Sequence, residues 1–263
     1  MKKINSFLNI DLEEGKKIYF SSDNHLGAPN HKNSLVREKR FIRWLDSIKE
    51  DASAIFLLGD LFDFWFEYKK VVPKGFVRVL GKLAEISDAG IPLYFFVGNH
   101  DMWMDGYFEN ELNIQVFDKP KKFIINKKHF LIGHGDGLGP GDKGFKRMKK
   151  VFKNSFSKFL FRWIHPDIGV RFAQYLSTKN KLLSGTDDIE YKGEENEWLV
   201  QYCKKIILRE KFEFFIFGHR HLPLDINISQ SSRYINLGDW ISYFSYAVFD
   251  GIDLELKFHK DKT

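Results

Sequence analysis

The sequence predicts an α/β fold in which two sheets pack together with helices outside. In the first half of the 263-residue chain, apolar strand-like runs alternate with helical stretches, and in the second half such runs follow one another through short turns. Hydrophobic residues make up 43% of the chain, and its 27 Phe supply material for a large core. We find no internal repeat and no low-complexity linker, so we expect one domain over residues 1–263.

The prediction of two sheets is based on nine strand-like runs. They are KIYFSSD (17–23), AIFLLGD (54–60), PLYFFVGNHD (92–101), KKFIIN (121–126), KHFLIGHGD (128–136), FEFFIFGHRH (212–221), SRYINLGDW (232–240), YAVFD (246–250) and DLELKFH (253–259). Helical patterns fill 36–50 and 75–90, and Gly90 and Pro92 form a helix stop after the second. This is the order expected of two sheets packed face to face.

The basic charge is concentrated in one segment. The chain carries a net charge of +6 and has a sequence pI of about 9.1, which would suit a nucleic-acid partner. Residues 143–181, however, hold eleven Lys or Arg and one acid, a net +10, which leaves the rest of the chain at −4. We therefore expect no nucleic-acid partner.

The cysteine content and the N-terminus indicate the compartment. The single Cys203 excludes an internal disulfide and fits a reducing environment. Asn5, Asn9 and Asp11 break the apolar stretch that a signal peptide needs, and no window approaches the roughly 20 apolar residues that span a bilayer. We expect a cytoplasmic protein whose contact with a membrane is peripheral.

Five apolar strands finish in residue types that ligate metals. These strand ends are Asp23-x-His25, Gly59-Asp60-x-x-Asp63, Gly98-Asn99-His100-Asp101, Gly133-His134-Gly135-Asp136 and Gly218-His219-Arg220-His221. Ligands of open α/β sheets bind at the carboxyl ends of strands, and residues two apart in an extended chain point to the same side. Carboxylate, imidazole and amide groups suit Mn, Fe or Zn, and without clustered Cys a structural zinc site is not expected.

Each motif alone has a simpler interpretation. Gly98 and Asn99 are common turn residues, a single His at a strand end is usually a hydrogen-bonded structural residue, and Asp63 could serve only to orient a ligand. Five such motifs, all on strand ends, favour a dinuclear metal site instead.

The order of the motifs resembles the calcineurin-like metallophosphoesterase superfamily over nearly the whole chain. The resemblance implies a four-layer αββα sandwich of two mixed sheets, with a helical cap inserted after the fifth strand at residues 142–181. It implies two divalent metal ions, for which we expect manganese, with Asp60 bridging them. The other implied ligands are Asp23, His25 and His221 for one ion and Asn99, His134 and His219 for the other.

Finer features resemble the UDP-2,3-diacylglucosamine diphosphatases of lipid A biosynthesis. They are SSDNHLG, GDLFDFW, HGDGLGPGDKGF with its basic helical insert, GHRH and NLGDW. Such enzymes hydrolyse the pyrophosphate of a UDP-linked diacyl sugar, giving UMP and a lipid-sugar 1-phosphate. The resemblance thus implies an acylated UDP-sugar as substrate and an anionic membrane surface as partner, at the cytoplasmic face of the inner membrane of a Gram-negative bacterium.

The same resemblance implies catalytic and substrate-binding residues. His100 stands where these relatives carry Arg; the wider superfamily has a His there that is a candidate general acid, and Asp101 would orient its ring. Alternatively, His100 steadies a phosphate oxygen as Arg does. The residues expected to contact substrate are Asn99, His100, Asp142, Phe145, Arg147, Phe152, Phe156, Lys181 and His219. Phe145 replaces a Tyr of the family and so lacks its hydroxyl, and STKNKLLSGTDD (177–188) departs from the family pattern.

The basic insert carries an apolar stripe at helical spacing. Phe145, Met148, Phe152, Phe156, Phe159 and Trp163 recur every three or four residues. This predicts one amphipathic helix that ends at Pro166, followed by a second, antiparallel helix from Ile168. The stripe can dock on the core, lie in a membrane interface or line an acyl pocket.

Two other functions fit parts of the sequence. One is a phosphodiesterase or phosphatase of the same superfamily that acts on a soluble nucleotide or a nucleic acid, which an apolar cap argues against. The other is a non-catalytic binding module, which should have lost metal ligands, whereas all seven are present.

Overall fold

The structure, a computed structural model, describes residues 7–140, 143–172, 175, 190–191 and 193–261. The elements up to the seventh strand are β1 (Leu8–Ile10), β2 (Lys17–Ser21), α1 (His31–Ile48), β3 (Ala52–Leu57), α2 (Val77–Asp88), β4 (Leu93–Phe96), α3 (Tyr107–Leu112), β5 (Gln115–Phe117), β6 (Lys121–Ile125) and β7 (Lys128–Ile132). The later elements are α4 (Lys143–Phe152), α5 (Ser155–Arg162), α6 (helical residues 166–172), α7 (Trp198–Ile207), β8 (Phe214–Phe217), β9 (Pro223–Ser229), β10 (Ser232–Leu237), β11 (Ser245–Phe249) and β12 (Leu254–Phe258).

The described strands form two six-stranded mixed sheets. One has the order β1-β6-β7-β8-β10-β9 and the other the order β12-β11-β2-β3-β4-β5. Strands β2, β3, β4 and β5 run parallel to one another, whereas β11 pairs with β2 and β12 in antiparallel fashion. In the other sheet, β7, β8 and β10 are parallel. The carboxyl ends of four strands in one sheet and of three strands in the other are therefore available for one site.

An aromatic layer joins the two sheets. Phe20 of β2 stacks on Phe56 of β3 at 5.0 Å between ring centroids and also faces Phe130 of β7 at 6.4 Å. Phe130 in turn lies 4.8 Å from the ring of Phe214 in β8. All four side chains are buried, so aromatic packing fills this part of the core between the sheets.

Helices cover the outer faces of both sheets. The outward side chains of one sheet, such as Tyr19 and Ile55, pack against Phe41 and Trp44 of α1 and against Leu83 of α2. On the other sheet, side chains of β7, β8 and β10 pack against α7. Because successive strand residues face opposite sides, each strand serves two layers of core. The expected four-layer αββα sandwich is confirmed.

Two details of the prediction were wrong. The cap helices follow β7, which is the seventh strand rather than the fifth, because β1 and β5 were not predicted. The stripe does not lie on one helix, since the chain turns between α4 and α5. The side chain of Asn154 caps α5 by accepting a hydrogen bond of 2.8 Å from the amide of Phe156.

No helix in the described ranges is long and apolar enough to cross a membrane. Both sheets combine strands from the beginning and the end of the chain. The single domain over residues 1–263 and the cap bounds of 142–181 stay predictions, and part of the predicted cap, including Asp142 and Lys181, lies outside the described residues.

Candidate metal centre

The polar strand ends converge between the two sheets. Loops after β2, β3 and β4 bring Asp23, Asp60 and Asn99, and loops after β7 and β8 bring His134 and His219. Three groups of possible ligands result, each with its ligand atoms within 4.8 Å of one another. The first contains Asp23, His25 and His221, and the second Asp60, His134 and His219. The third, of His25, Asp63 and His100, shares His25 with the first.

The first group is held by contacts around Asp23. One carboxylate oxygen of Asp23 accepts hydrogen bonds from the hydroxyl of Ser22 and from the amide of His219. Its other oxygen, Oδ1, is buried without a hydrogen-bond partner and lies 3.3 Å from Nε2 of His221. Nε2 of His25 lies 3.1 Å from the same His221 atom. Three donor atoms thus face one point.

The second group forms around His134. Nδ1 of His134 donates a hydrogen bond of 2.6 Å to the carbonyl of Leu58, so Nε2 is the ring atom left for a ligand role. That Nε2 lies 3.2 Å from Oδ1 of Asn99 and 3.4 Å from Oδ2 of Asp60. The ring of His219 meets that of His134 edge-on, with centroids 5.1 Å apart.

Asp60 lies between the two groups. Its Oδ2 is 3.4 Å from Nε2 of His134 and 3.7 Å from Nε2 of His25. Its Oδ1 accepts a hydrogen bond of 2.8 Å from the amide of His100. A single carboxylate oxygen therefore contacts both groups, as a bridging ligand must.

A second layer of carboxylates orients the imidazoles. Nδ1 of His25 lies 3.2 Å from Oδ1 of Asp63, and Nδ1 of His221 lies 3.4 Å from Oδ2 of Asp239. Such contacts turn the opposite nitrogen of each ring toward a metal. The sequence suggested this orienting role for Asp63, whereas Asp239 lay in a quoted motif, NLGDW, without an assigned role.

Two glycines are required by close packing at the site. A Cβ on Gly98 would lie 2.2 Å from Oδ1 of Asp60, and a Cβ on Gly218 would lie 1.8 Å from Oγ of Ser22. Any side chain at these positions would displace the carboxylates of the centre.

Five candidate ligands have left-handed backbone conformations. Their φ angles are 56° for Asp23, 45° for His25, 51° for Asp60, 68° for His219 and 56° for His221. This conformation is unfavourable for residues with a side chain, and strained backbone of this kind clusters at functional sites. The loops therefore give up stability to bring the ligands together.

Burial and mutual charge shift the titration of these groups. Burial raises the pKa of Asp23 despite nearby histidines. Burial alone would lower the pKa of His134, but the carboxylates of Asp60 and Asp23 reverse the effect and raise it to about 10. Burial and the neighbouring His134 lower the pKa of His219 to about 3. In metal-free protein, a proton on His134 therefore takes the place of a cation.

The donor set fits divalent metal ions. Oδ1 of Asp23 is buried without a hydrogen-bond partner, and the Nε2 atoms of His25 and His221 lie 3.1 Å apart, an arrangement that a shared cation would explain. Imidazole, carboxylate and amide donors are ligands of divalent transition metals.

His100 lies beside this centre. Its ring meets that of His25 edge-on at 4.7 Å between centroids, and its Nδ1 donates a hydrogen bond of 2.9 Å to the carbonyl of Asp63. The expectation that Asp101 orients this ring was wrong. The two carboxylate oxygens of Asp101 instead accept hydrogen bonds from the amides of Gly98, at 2.7 Å, and Leu61, at 2.9 Å. Burial and the charge of Asp60 raise the pKa of Asp101 to about 7.

The cap is anchored beside the centre through aromatic residues. The ring of Phe152 lies 5.6 Å from that of Trp103, whose Nε1 donates a hydrogen bond of 2.7 Å to the Phe152 carbonyl. Phe161 packs on Phe66 at 4.6 Å and on Trp103 at 4.8 Å. Arg162 forms an ion pair with Asp105.

The other residues predicted to contact substrate differ in their position and exposure. Phe156 is 66% exposed, and Arg147 is exposed on α4. Phe145 lies in the first turn of the same helix, whereas Asp142 and Lys181 lie outside the described residues. Sequence reasoning did not find a cavity beside His134 that is lined by lysines of α4.

Comparison with known proteins places this centre in a family. The calcineurin-like phosphoesterase model matches residues 16–223. A UDP-2,3-diacylglucosamine hydrolase of Porphyromonas gingivalis (strain ATCC BAA-308 / W83) is 40% identical over 257 residues, which are 93% of this chain and 98% of the relative. A protein of the same name from Shewanella sp. (strain MR-4) is 28% identical over 90% of this chain and 95% of the relative. Among solved structures, Yfce, a phosphoesterase from E. coli, is 15% identical over 90% of each chain, with a TM-score of 0.43.

The chain belongs to the calcineurin-like phosphoesterase family. It is a hydrolase of the metallophosphoesterase class, and the family implies divalent metal ions at the two residue groups described above.

Proposed function

We propose that the protein hydrolyses the pyrophosphate bond of UDP-2,3-diacylglucosamine to UMP and 2,3-diacylglucosamine 1-phosphate, a step of lipid A biosynthesis. The main support is the 40% identity, over nearly the whole of both chains, to a protein named for this substrate. The complete set of candidate ligands is consistent with an active enzyme rather than a binding module.

Two divalent ions would be held by the two ligand groups. Asp60 would contribute to both sites, Asp23, His25 and His221 would complete one of them, and Asn99, His134 and His219 would complete the other. We propose manganese from among Mn, Fe and Zn, all of which suit nitrogen and oxygen donors without thiolate. Metal ions in such a pair polarise phosphate oxygens and lower the pKa of bound water, which supplies a nucleophile near neutral pH.

The residues around the metals position the substrate and move a proton. Asn99 provides a neutral oxygen next to His134, so it adds no charge that would repel a phosphate. His100, oriented by the Asp63 carbonyl, would donate a proton or a hydrogen bond to the leaving oxygen. Asp101 acts by holding the loops of Gly98 and Leu61, not as a proton carrier.

The cap would receive the acyl chains and contact the membrane. Large apolar side chains are exposed on α5 and just after it: Phe156 66%, Phe159 53%, Leu160 52% and Trp163 77%. Exposed aromatic residues together with basic residues are typical of segments that bind an anionic membrane surface. We therefore propose a cytoplasmic protein that is peripheral on the inner membrane, with a cap over residues 142–181.

Purified protein loaded with Mn²⁺ should be tested on UDP-sugars with and without acyl chains. We expect release of UMP from the diacylated substrate with a kcat/KM at least 100-fold above that for UDP-N-acetylglucosamine, and no release in the presence of chelator. Equal kcat/KM for both substrates would reject the proposed substrate and favour a phosphodiesterase that acts on soluble nucleotides.

A further inference from the structure

A cavity of about 570 Å³ opens beside His134. Its walls come from α4, from the loop that follows β7 and from the turn between β5 and β6. This volume is typical of a small-molecule site. Because His134 is a candidate metal ligand, a molecule in the cavity would adjoin the phosphate that the metals hold.

The cavity is strongly basic. Five lysines line it, against the two aspartates Asp118 and Asp136. Lys149 is paired with Asp136, and Lys146 donates a hydrogen bond of 2.7 Å to the carbonyl of Gly139. These two lysines therefore attach α4 to the loop that carries His134.

Lys153 and Lys150 remain available for a ligand. Within the described part of the chain, neither ammonium group has a hydrogen-bond or ion-pair partner. Lys153 is half-buried, and burial together with the charge of Lys149 lowers its pKa. The charges of Asp118 and Asp136 offset this effect only in part, so a bound anion would stabilise the charged ammonium group further.

Part of the lining is apolar. It includes Phe117 and Pro120, and the half-buried ring of Phe117 lies 5.1 Å from that of Phe96. An aromatic ring near basic groups suits a planar nucleobase attached to a phosphate. An acyl chain, by contrast, would gain nothing from five lysines.

We propose that this cavity binds the nucleoside monophosphate half of the substrate, with Lys153 and Lys150 contacting its anionic part and Phe117 its base. This inference rests on the proposed function. Cleavage of the pyrophosphate in a nucleoside diphosphate sugar needs one subsite for the nucleoside and another for the sugar, on opposite sides of the metals. The acyl half would then lie toward the exposed aromatic residues of α5.

Inhibition of a substrate without a nucleoside tests the proposal. Mn²⁺-loaded protein would hydrolyse bis(p-nitrophenyl) phosphate in the presence of UMP or inorganic phosphate. Lys153→Met, which retains the apolar stem, should raise the inhibition constant of UMP about tenfold, or about 1.4 kcal/mol. It should change the inhibition constant of inorganic phosphate by less than twofold, because phosphate would bind at the metal ions and not in the cavity. Lys150→Met, at an exposed position, should act in the same direction more weakly.

Controls separate the nucleotide from other causes. Arg171→Met, also on the cap but outside the cavity, should change neither inhibition constant. Phe117→Leu should raise the inhibition constant of UMP and leave that of phosphate unchanged. An unchanged UMP constant in both lysine variants, or equal losses for UMP and phosphate, would overturn the subsite. Failure to cleave the acylated UDP-sugar would reject the proposed function instead, because the diester assay does not depend on that substrate.

Discussion

Nδ1 of His100 donates a hydrogen bond of 2.9 Å to the main-chain carbonyl of Asp63. A carbonyl oxygen can only accept, so the proton on Nδ1 is fixed and Nε2 is the ring atom able to exchange a proton with a substrate. The side chain of Asp63 also contacts Nδ1 of His25 at 3.2 Å. One residue thus orients both a candidate metal ligand and the proposed acid.

His100→Ala should therefore lower kcat by about 10²–10⁴-fold, the usual contribution of a general acid. Because the proton donor is lost, the decline of kcat at high pH should disappear, which a pH profile of kcat would measure. His31→Ala, at an exposed position, is the control. If His100→Arg restores the rate with the wild-type pH profile, His100 only steadies a phosphate oxygen.

Asp239→Asn should weaken metal binding without unfolding the protein. Oδ1 of Asp239 accepts amide hydrogen bonds from Ile241, Ser242 and Tyr243, which Asn can keep, whereas Oδ2 faces Nδ1 of His221. Loss of such an orienting carboxylate typically costs about 10–100-fold in metal affinity. Titration of metal-free protein with Mn²⁺ would measure this, and unchanged affinity would exclude an orienting role.

Metal removal should destabilise the protein through Asp60. A ligand at 100 times its dissociation constant stabilises the folded state by about 2.7 kcal/mol, and chelation removes this contribution. Asp60→Asn should abolish the metal-dependent stabilisation and leave less than one ion per chain, because Oδ2 of Asp60 contacts both groups. Asp23→Asn should retain one ion. Two ions in the Asp60 variant, counted by elemental analysis, would contradict the bridge.

The sequence predicted the central strands of the described sheets but only one of their four edge strands, β12. β1, β5 and β9 were missed, and each is the outermost strand of its sheet. β1 and β5 have three residues each, and β9 alternates half-buried and exposed positions. Central strands are buried on both faces and read as continuous apolar runs, whereas an edge strand with one open side gives a weaker signal.

The candidate metal ligands could be predicted from the sequence, because their residue types stand at the ends of recognisable strands. The seven proposed ligands meet because each ends or follows a strand whose apolar run is visible in the sequence. The left-handed backbone of residues such as Asp23 and His219 was not visible, since it is imposed by the loops. The contact of Asp239 with His221 and the basic cavity beside His134 depend on tertiary packing and could not be found from spacing.

Asp101→Asn should lower stability more than catalysis. Both oxygens of the Asp101 carboxylate accept backbone amides, so the amide group of Asn would leave Gly98 or Leu61 without an acceptor. An unsatisfied buried donor costs about 1–3 kcal/mol. Denaturant unfolding would measure this loss, with the exposed Asp88→Asn as control. Unchanged stability together with a large fall in kcat would contradict this structural role and indicate that Asp101 takes part in catalysis.

The cap offers a test of membrane contact that separates exposed from anchoring residues. Phe156 and Trp163 are 66% and 77% exposed, whereas Phe152 packs on Trp103. Phe152→Ser should therefore destabilise the cap, as large-to-small changes in packed sites do, and cannot report on lipid alone. The double variant Phe156→Ser and Trp163→Ser should leave the unfolding free energy nearly unchanged.

Binding of this double variant to vesicles of anionic phospholipid should fall by about tenfold or more, because burying one large apolar side chain contributes about 1.5–3 kcal/mol. Sedimentation with vesicles at low and high salt would measure it, and salt should weaken the remaining, electrostatic binding. Ile252→Ser is the matched control, since Ile252 is 76% exposed between β11 and β12. If this control loses as much binding as the double variant, or if the double variant binds like the wild type, the exposed surface of α5 does not contact the membrane.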